Sequence, residues 1–351
     1  MEKEYSTVGL DLGDRFSNFC VLDEQGEVME EGRLATTQEA LARKFSGMDP
    51  CRIALEVCTY SPWVSRLLKG LGHEVVVAQA AKVALIYKNH RKGDQIDAQL
   101  LAKLARVDPS LLSPIEHRGL KTQQDLQVVR SRNTLVEART KLINHVRSSA
   151  KVFGVRLGYC SAECFHKKIP ELLPEALRVT LGHVLETIGV LTAQIHAYEK
   201  EMAALCQAYP ATELLQQVPG VGPVTALSFV LTIERPERFR KSRDIGPYLG
   251  LVPKRDQSGE TDKHLRISKA GDVFLRKLLV TCAHYILGPK GPDCALRRWA
   301  VARLGTGGAN AKKRTVVAVA RKLAVLLHRL WITGECYQPF PQGLCDMGPS
   351  A

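Results

Sequence analysis

The order of apolar segments in the first 79 residues constrains the fold of this chain more than any other feature. Strand-like and helix-like patterns follow one another as strands at 5–12, 17–23 and 27–34, a helix at 37–47, a strand at 51–58, a helix at 61–71 and a strand at 73–79. The last two strands are short and almost wholly apolar, as in buried parallel sheets. This order predicts an α/β domain with a mixed sheet, closed by a helix that begins at Asp94.

Four acidic residues lie at sensitive positions of this predicted domain. Asp11 interrupts the apolar strand VGLDLG and Glu56 interrupts IALEVC, where burying an unpaired carboxylate is costly. Asp94 and Asp97 are three residues apart in KGDQIDAQLLAKLA, so they share one face of the predicted helix. They can also act as a helix cap and a first-turn acid. Converging carboxylates would suit Mg²⁺, and two such ions can clamp both oxygens of a phosphodiester displacement.

The middle of the chain is expected to be helical. Residues 119–153 contain no proline and have a helical apolar period, and a second such run spans 175–208. Both exceed the usual globular helix length of roughly 8–20 residues, which indicates a helical hairpin or coiled coil. The segment 154–174 between them is predicted to be irregular. We therefore divide the chain into an α/β domain at 1–112, a helical connector at 113–209, a mainly α C-terminal domain at 210–335 and a disordered tail at 336–351.

The C-terminal domain opens with VPGVGP between two helical patterns. This is the helix-hairpin-helix pattern, in which Gly220 and Gly222 allow a tight turn and the second helix offers amide groups to a phosphate. A plain interhelical turn is the alternative, because proline and glycine mark turns in general. Further helices are expected at 270–288 and 313–333.

The charge of the chain is positive and concentrated. There are 49 Lys and Arg against 36 Asp and Glu, a net charge of +13. Residues 235–329 alone contain 22 Lys and Arg against 7 acids. Such an excess favours a polyanionic partner, most often nucleic acid, over a merely solvated basic surface.

The ten cysteines have no C-x-x-C spacing, which argues against zinc and predicts reduced thiols. The first residues, MEKEYSTVGLD, contain no apolar signal region, and no stretch is expected to span a membrane. We therefore expect a soluble cytoplasmic protein with no membrane partner.

These motifs together resemble the DEDD-type transposases of bacterial insertion sequences, described as bridge-RNA-guided recombinases, over about residues 5–335. The resemblance rests on ordered segments: VGLDLG with Asp11, ALEVC with Glu56, KGDQIDAQLLAKLA with Asp94 and Asp97, VPGVGPVTA, RFRKSRDIGPYLGLVPKRDQSGE, RISKAGDVFLRKLLVTCA and KKRTVVAVARKLAVLLHRLW. GLDLGDRFSN is also similar to the first phosphate loop of sugar kinases and actin. The further glycine-rich adenosine motifs of that superfamily are not found in the sequence.

The resemblance implies a ribonuclease-H-like (Holliday-resolvase-like) N-terminal domain, Mg²⁺ at the four acids and a catalytic serine, Ser258, in DQSGE. It further implies a homo-oligomer, a dimer and then a tetramer on DNA, guided by an element-encoded noncoding RNA. Ser258 is expected in a polar loop, where a Ser-Gly pair by itself indicates only a turn. Basic residues expected to contact nucleic acid are Lys254, Arg255, Lys263, Arg266, Lys269, Lys312, Lys313 and Arg314.

Three interpretations remain open from the sequence. The first is an RNA-guided recombinase that forms a covalent serine–DNA link. The second is a metal-dependent junction resolvase or nuclease in which Ser258 has no chemical role. The third is a noncatalytic nucleic-acid-binding protein whose four acids are structural.

Overall fold

The structure, a computed structural model, describes residues 6–79, 93–258, 261–305 and 307–340. The side chains of Asp94, Ser258, Thr261, Lys263 and His264 lie outside this description, as does the predicted tail from residue 341 onward. The chain forms two compact units, residues 1–119 and 120–351. The finer division of the second unit at residue 210 stays a prediction.

The first unit is built on a five-stranded sheet with the order β3-β2-β1-β4-β5. Its elements are β1 (Thr7–Leu12), β2 (Phe16–Leu22), β3 (Val28–Ala35), α1 (Gln38–Phe45), β4 (Arg52–Glu56), α2 (Ser61–Gly70), β5 (Glu74–Ala78) and α3 (Asp94–Val107). The first three strands are antiparallel, and β4 lies parallel to both β1 and β5. The predicted mixed sheet is confirmed.

The two faces of this sheet are covered by different helices. Val8 and Leu10 of β1 pack in one core cluster with residues of α1 and α2, such as Phe45 and Leu68. The opposite face is covered by α3, and Gly9 is the point of closest approach. A Cβ atom on Gly9 would lie 1.9 Å from the carbonyl oxygen of Ala98, so only glycine allows α3 to pack this tightly.

The second unit begins with a long helical hairpin. It consists of α4 (Leu120–Val152), α5 (Phe165–Leu172) and α6 (Glu175–Ala208). The expectation that 154–174 is irregular is wrong for residues 165–172, because Phe165 and Ile169 of α5 are buried against α4 and α6 in one apolar cluster. A short amphipathic helix of this kind is easily missed between two much longer periodic runs.

By length and composition alone, α6 could cross a membrane. The expectation that no stretch approaches a membrane span is therefore wrong. Its apolar residues Leu177, Leu181, Leu185 and Ile188 pack in the cluster shared with α4 and α5. A core helix of a soluble hairpin meets the same criteria of length and hydropathy.

The C-terminal half of this unit has its own apolar core around Phe229 and Leu323. Its elements are α7 (Ala211–Gln216), α8 (Pro223–Ile233), α9 (Ile245–Tyr248), β6 (Pro253–Ser258), β7 (Thr261–Ile267), α10 (Val273–Leu287), α11 (Ala295–Leu304) and α12 (Ala309–Thr333). The helices expected at 270–288 and 313–333 are present with slightly different ends, whereas α11 was not predicted. Ala300, in the middle of α11, is buried in the core, and this single small residue gives a weak apolar pattern.

Residues 253–258 and 261–267 pair as two antiparallel strands, β6 and β7, which we call the β6–β7 hairpin, where the sequence predicts a polar loop. Ser258 ends β6 and pairs with Thr261 of β7. The charged sequence PKRDQSGETDKHLRI hides this hairpin, because its exposed strands do not alternate with buried apolar residues.

Candidate active site

Two of the four acids lie on neighbouring parallel strands of the first unit. The register of β1 with β4 pairs Leu10 with Leu55, so Asp11 and Glu56 follow side by side at the same edge of the sheet. Because side chains alternate along a strand, Asp11 lies on the same face as Gly9, which is the face covered by α3. Glu56 follows Ala54 by two residues, and Ala54 packs with Leu101 of α3. Both acids therefore lie on the α3 face.

The other two acids are at the start of α3. Gly93 is the N-cap and contributes no side chain, so Asp94 is the first helical residue rather than the cap. The backbone amide of Asp97 donates to the carbonyl oxygen of Gly93, and its side chain is exposed. Gln95 donates from its side-chain amide to the carbonyl oxygen of Phe19 on β2 at 3.0 Å, which fixes this end of α3 over the sheet.

Glu56 and Asp97 interact across the gap between β4 and α3. The pKa of the Glu56 carboxyl is raised above its ordinary value, first by burial and second by the negative charge of Asp97. Burial disfavours the charged form of an acid, and a nearby carboxylate adds repulsion. Strongly perturbed carboxyl groups of this kind are typical of functional sites as well as of structural clusters.

The donor set fits a hard divalent cation. Carboxylate oxygens are the ligands that Mg²⁺ prefers, and a bound cation would relieve the repulsion between Glu56 and Asp97. Among the described side chains, which do not include that of Asp94, no three His, Cys, Asp or Glu groups are placed to hold an ion. Asp97 is thus close enough to act on the charge of Glu56, and Asp11 lies on the same face of the sheet, while the side chain of Asp94 lies outside the described part of the chain.

A second pair near this edge was missed in the sequence. The hydroxyl of Tyr60, four residues after Glu56, donates a short hydrogen bond to the carboxylate of Asp14, three residues after Asp11. This bond raises the pKa of the Tyr60 hydroxyl above its ordinary value. The pair ties the loop after β1 to the loop after β4. The sequence signal for this pair is a polar residue shortly after each strand acid, namely Asp14 after Asp11 and Tyr60 after Glu56.

Ser258 belongs to the second unit, near the end of the β6–β7 hairpin. The base of the hairpin is held rigidly, because Ser268 donates its amide to the carbonyl oxygen of Val252 at 2.8 Å. Arg276 of α10 is buried and donates to the carbonyl oxygens of Leu249 at 2.9 Å and Ala270 at 2.7 Å. Ser258 is thus presented at the end of a hairpin that is anchored to the C-terminal core.

Close backbone crossing makes two glycines necessary at this base. Gly250 and Gly271 have φ angles of +66° and +70°, which side-chain-bearing residues rarely adopt. A Cβ atom on Gly271 would lie 2.1 Å from the carbonyl oxygen of Tyr248. The close crossing of the backbone at the base of the hairpin therefore depends on these two residues.

The basic residues predicted to contact nucleic acid are mostly exposed. This holds for Lys254, Arg255, Arg266, Lys269, Lys312, Lys313 and Arg314. Arg255 differs from the rest, because its guanidinium forms two hydrogen bonds with the Asp262 carboxylate, at 2.9 and 2.7 Å. Its charge is therefore compensated within the hairpin. The side chain of Lys263 lies outside the described part of the chain.

The predicted helix-hairpin-helix turn lies between α7 and α8. Gly220 has a φ of +81°, and a Cβ atom there would lie 2.9 Å from the Tyr285 ring. Gly222 caps α8, and no heavy atom lies within 4 Å of the position that its Cβ would take. This open approach to a helix N-terminus suits an anion, whereas α8 itself is buried from Thr225 to Ile233.

Comparison with known proteins adds independent information. Residues 8–152 match the profile of a DEDD-type transposase family named for IS110, and residues 212–293 match the transposase IS116/IS110/IS902 family. Together these two matches cover well over half of the chain. The chain is 28% identical over 345 residues to the transposase for insertion sequence element IS1111A of Coxiella burnetii, covering 96% of this chain and 92% of that protein. It is also 28% identical over 325 residues to the transposase for insertion sequence element IS1328 of Yersinia enterocolitica, covering 90% and 94%.

Proposed function

From the premise that this chain belongs to the IS110/IS116 family of insertion-sequence transposases, enzymes that cleave DNA and transfer its strands, we propose a specific mechanism. The protein acts as an RNA-guided recombinase that links DNA covalently to Ser258. The observation that carries the proposal is the placement of Glu56 beside Asp11 at one edge of the sheet, near enough to Asp97 for its charge to raise the pKa of Glu56. An enzyme of this family is not a noncatalytic binding protein, so the third interpretation of the sequence is set aside.

We assign the first unit to the ribonuclease-H-like class. Its sheet has three antiparallel strands, β1 to β3, followed by β4 and β5, which run parallel to β1. The acids lie near the ends of the adjacent strands β1 and β4 and at the start of α3, which covers them. Asp11, Glu56, Asp94 and Asp97 would hold one or two Mg²⁺ ions. Such ions, when bound, stabilise the charge that develops on the phosphodiester oxygens.

The covalent step conserves the phosphodiester bond energy. The Oγ atom of Ser258 attacks a DNA phosphorus, a serine–phosphate bond forms, and the bond from phosphorus to the leaving DNA oxygen breaks. The serine gives up its proton to a base, and the leaving DNA oxygen takes up a proton to become a hydroxyl. A second DNA hydroxyl then attacks the phosphoserine and releases Ser258. Splitting one displacement into two in this way is ordinary nucleophilic catalysis.

The remaining parts of the proposal concern partners. The basic span 235–329 would bind DNA and an element-encoded noncoding RNA that pairs with donor and target sites. The hairpin of α4 and α6 would join protomers into a dimer and then a tetramer on DNA, and the protein would act in the cytoplasm. Because guide pairing reads the sequence, the protein itself needs few base-specific contacts.

The decisive experiment is Ser258→Ala, assayed with guide RNA and both DNA partners. We expect normal nucleic-acid binding, no denaturant-resistant protein–DNA adduct and no strand exchange. Ser268→Ala is the matched control, because Ser268 lies at the base of the same hairpin and its hydroxyl accepts a long, 3.5 Å hydrogen bond from the Ala270 amide. An alanine variant at position 258 that still joins DNA near the wild-type rate would eliminate the serine mechanism.

The acid set is tested separately by Glu56→Gln. Removing this charge should abolish strand exchange and weaken any stabilisation of the folded protein by Mg²⁺, while binding to nucleic acid persists. Glu27→Gln, at an exposed position in the turn before β3, is the control for loss of one negative charge. Unchanged exchange by the Glu56 variant would contradict the assignment of the site.

The junction-resolvase interpretation remains the second candidate. It is favoured by the fact that Glu56 and Asp97 both belong to the first unit and act on each other's charge there. It predicts Mg²⁺-dependent cleavage with water as nucleophile. Cleavage that persists in Ser258→Ala without an adduct would establish this second function.

A further inference from the structure

Two cations lie over one tryptophan ring that packs against the C-terminal core, and a third cation lies near one of them. Trp299 and Arg303 lie on α11, and Lys322 lies on α12. The Lys322 ammonium is 4.3 Å from the centroid of the Trp299 ring, and the Arg303 guanidinium carbon is 5.8 Å from it. Arg243, in the short 3₁₀ turn at 242–244, is close enough to act on the charge of Lys322.

The charges of this cation cluster, defined as Arg243, Arg303 and Lys322, are not compensated. In the part of the chain that the structure describes, none of the three has a carboxylate oxygen within 4.0 Å. The pKa of the Lys322 ammonium is lowered, first by burial and then by the positive charges of Arg243 and Arg303.

The neighbouring acids have other partners. Asp293, just before α11, forms an ion pair with Arg298 at 2.5 Å. Asp244 accepts a hydrogen bond from the backbone amide of Lys241 at 3.2 Å. Protein carboxylates therefore do not neutralise the cluster, whereas Arg298 one turn away is neutralised.

The three side chains are exposed, and their like charges repel one another. An anion with several oxygens that binds between them relieves this repulsion. The three donors come from three separate elements, α11, α12 and the 242–244 turn, so the packing of the core holds them together. The partly buried Trp299 ring fixes the position of the ammonium by a cation–π contact.

We infer that Arg243, Arg303 and Lys322 form a binding site for a backbone phosphate of nucleic acid, with Trp299 as its floor. The site extends the proposed nucleic-acid binding and rests on it. Its ligand chemistry is the phosphodiester group, which duplex DNA and structured RNA share. The surrounding span 235–329 carries the same sign of charge, which favours a long polyanion over a small phosphate compound.

The test compares two variants that each lose one positive charge. Lys322→Gln removes an uncompensated cation, and Arg298→Gln removes a compensated one from the adjacent helix face. Affinities for a DNA duplex and for a folded RNA are measured in the full chain as a function of salt. We expect Lys322→Gln to reduce the log–log salt slope by roughly 0.7–0.9 and Arg298→Gln to leave it unchanged.

The Trp299 ring supplies a second readout that a purely structural role would not move. Binding should quench tryptophan emission in the wild-type protein, and Trp299→Phe should lose part of this quenching. The nucleic acid for which Lys322→Gln changes the salt slope, whether DNA, RNA or both, is the ligand of the site.

Equal salt slopes for the wild type and Lys322→Gln with both nucleic acids would overturn the inference, even if Ser258 forms its adduct. If the wild-type protein forms no serine–DNA adduct but Lys322→Gln alters the salt slope, the proposed serine mechanism is overturned and the phosphate site is retained. Lys322→Arg should restore the slope, because the charge is retained.

Discussion

Replacing Gly9 by alanine tests the link between the packing of α3 and the acid site. The new Cβ atom would lie 1.9 Å from the Ala98 carbonyl oxygen and 2.6 Å from the Ala102 amide nitrogen. Real Cβ atoms essentially never approach other heavy atoms closer than 3.0 Å. Both obstructing groups belong to the helix backbone, so no side chain can rotate away. The helix therefore has to retreat from β1 by about 1 Å.

This retreat has two costs. Overpacking of a close-packed interior destabilises a protein by about 1–3 kcal/mol, and the obstruction by backbone puts this case at the upper end. Because α3 carries Asp94 and Asp97, the same movement draws these acids away from Asp11 and Glu56. A displacement of about 1 Å in a catalytic constellation lowers rates on the order of 100-fold.

The stability change is best read by hydrogen–deuterium exchange of the peptides covering residues 7–22, which report on the first unit alone. A loss of 1–3 kcal/mol accelerates exchange through global opening by roughly 5–150-fold. Gly47→Ala is the control, because no heavy atom lies within 4 Å of its Cβ position and the residue is exposed. Wild-type exchange and wild-type strand transfer in Gly9→Ala would refute the reasoning that this contact positions the acids.

Three further predictions concern other parts of the chain. Burial, and then nearby cations, lower the pKa of His117 below its ordinary value. The contribution of His117 to stability is therefore complete above about pH 6.5 and is lost as the pH falls. Between pH 7.5 and 5.5, the melting temperature of His117→Gln should drop less than that of the wild type. Gly271→Ala should melt below Gly72→Ala, since both have positive φ but only Gly271 is obstructed, by backbone; equal melting would contradict the crossing at the hairpin base. Glu163→Gln weakens the 3.0 Å pair with buried Arg139 and should destabilise the helical hairpin by about 1–3 kcal/mol in urea denaturation, whereas no change would show that Arg139 is satisfied without it.

The first unit was accessible from sequence because its signals are local and strong. Apolar strands such as IALEVC have few alternative structures, and a single acid within such a strand is conspicuous. The strands, their order along the chain and the helix beginning at Asp94 were all predicted. The cap was not, because Gly93 supplies no side chain and Asp94 is the more typical capping residue.

The second unit was less accessible because its determinants are long-range. The β6–β7 hairpin has exposed strands, so no alternation of burial marks it, and it depends on crossings such as Gly271 over Tyr248. The cation cluster is also invisible in sequence, since Arg243 and Lys322 are far apart along the chain. Only the packing of α12 against the 242–244 turn brings them together.

The long α4–α6 hairpin has a mechanical consequence. At about 1.5 Å per residue, the 33 residues of α4 extend roughly 50 Å. One end is fixed, because Leu126 and Val129 pack with Leu227 of α8 in the C-terminal half of the unit, whereas the other end packs with α5 and α6 in the cluster around Phe165. The hairpin is thus a long arm that is anchored to the C-terminal half of the unit at the Leu126 end of α4.

Its root is also the anchor of the serine-bearing hairpin. Arg130 of α4 forms a 2.9 Å ion pair with Asp272, and Asp272 in turn caps α10 by accepting a hydrogen bond from the Leu275 amide. Asp272 directly follows Gly271, where the backbone crosses beneath the β6–β7 hairpin. A force on the far end of the α4–α6 hairpin is therefore transmitted to Arg130 and Asp272, next to the residues that hold the β6–β7 hairpin in position.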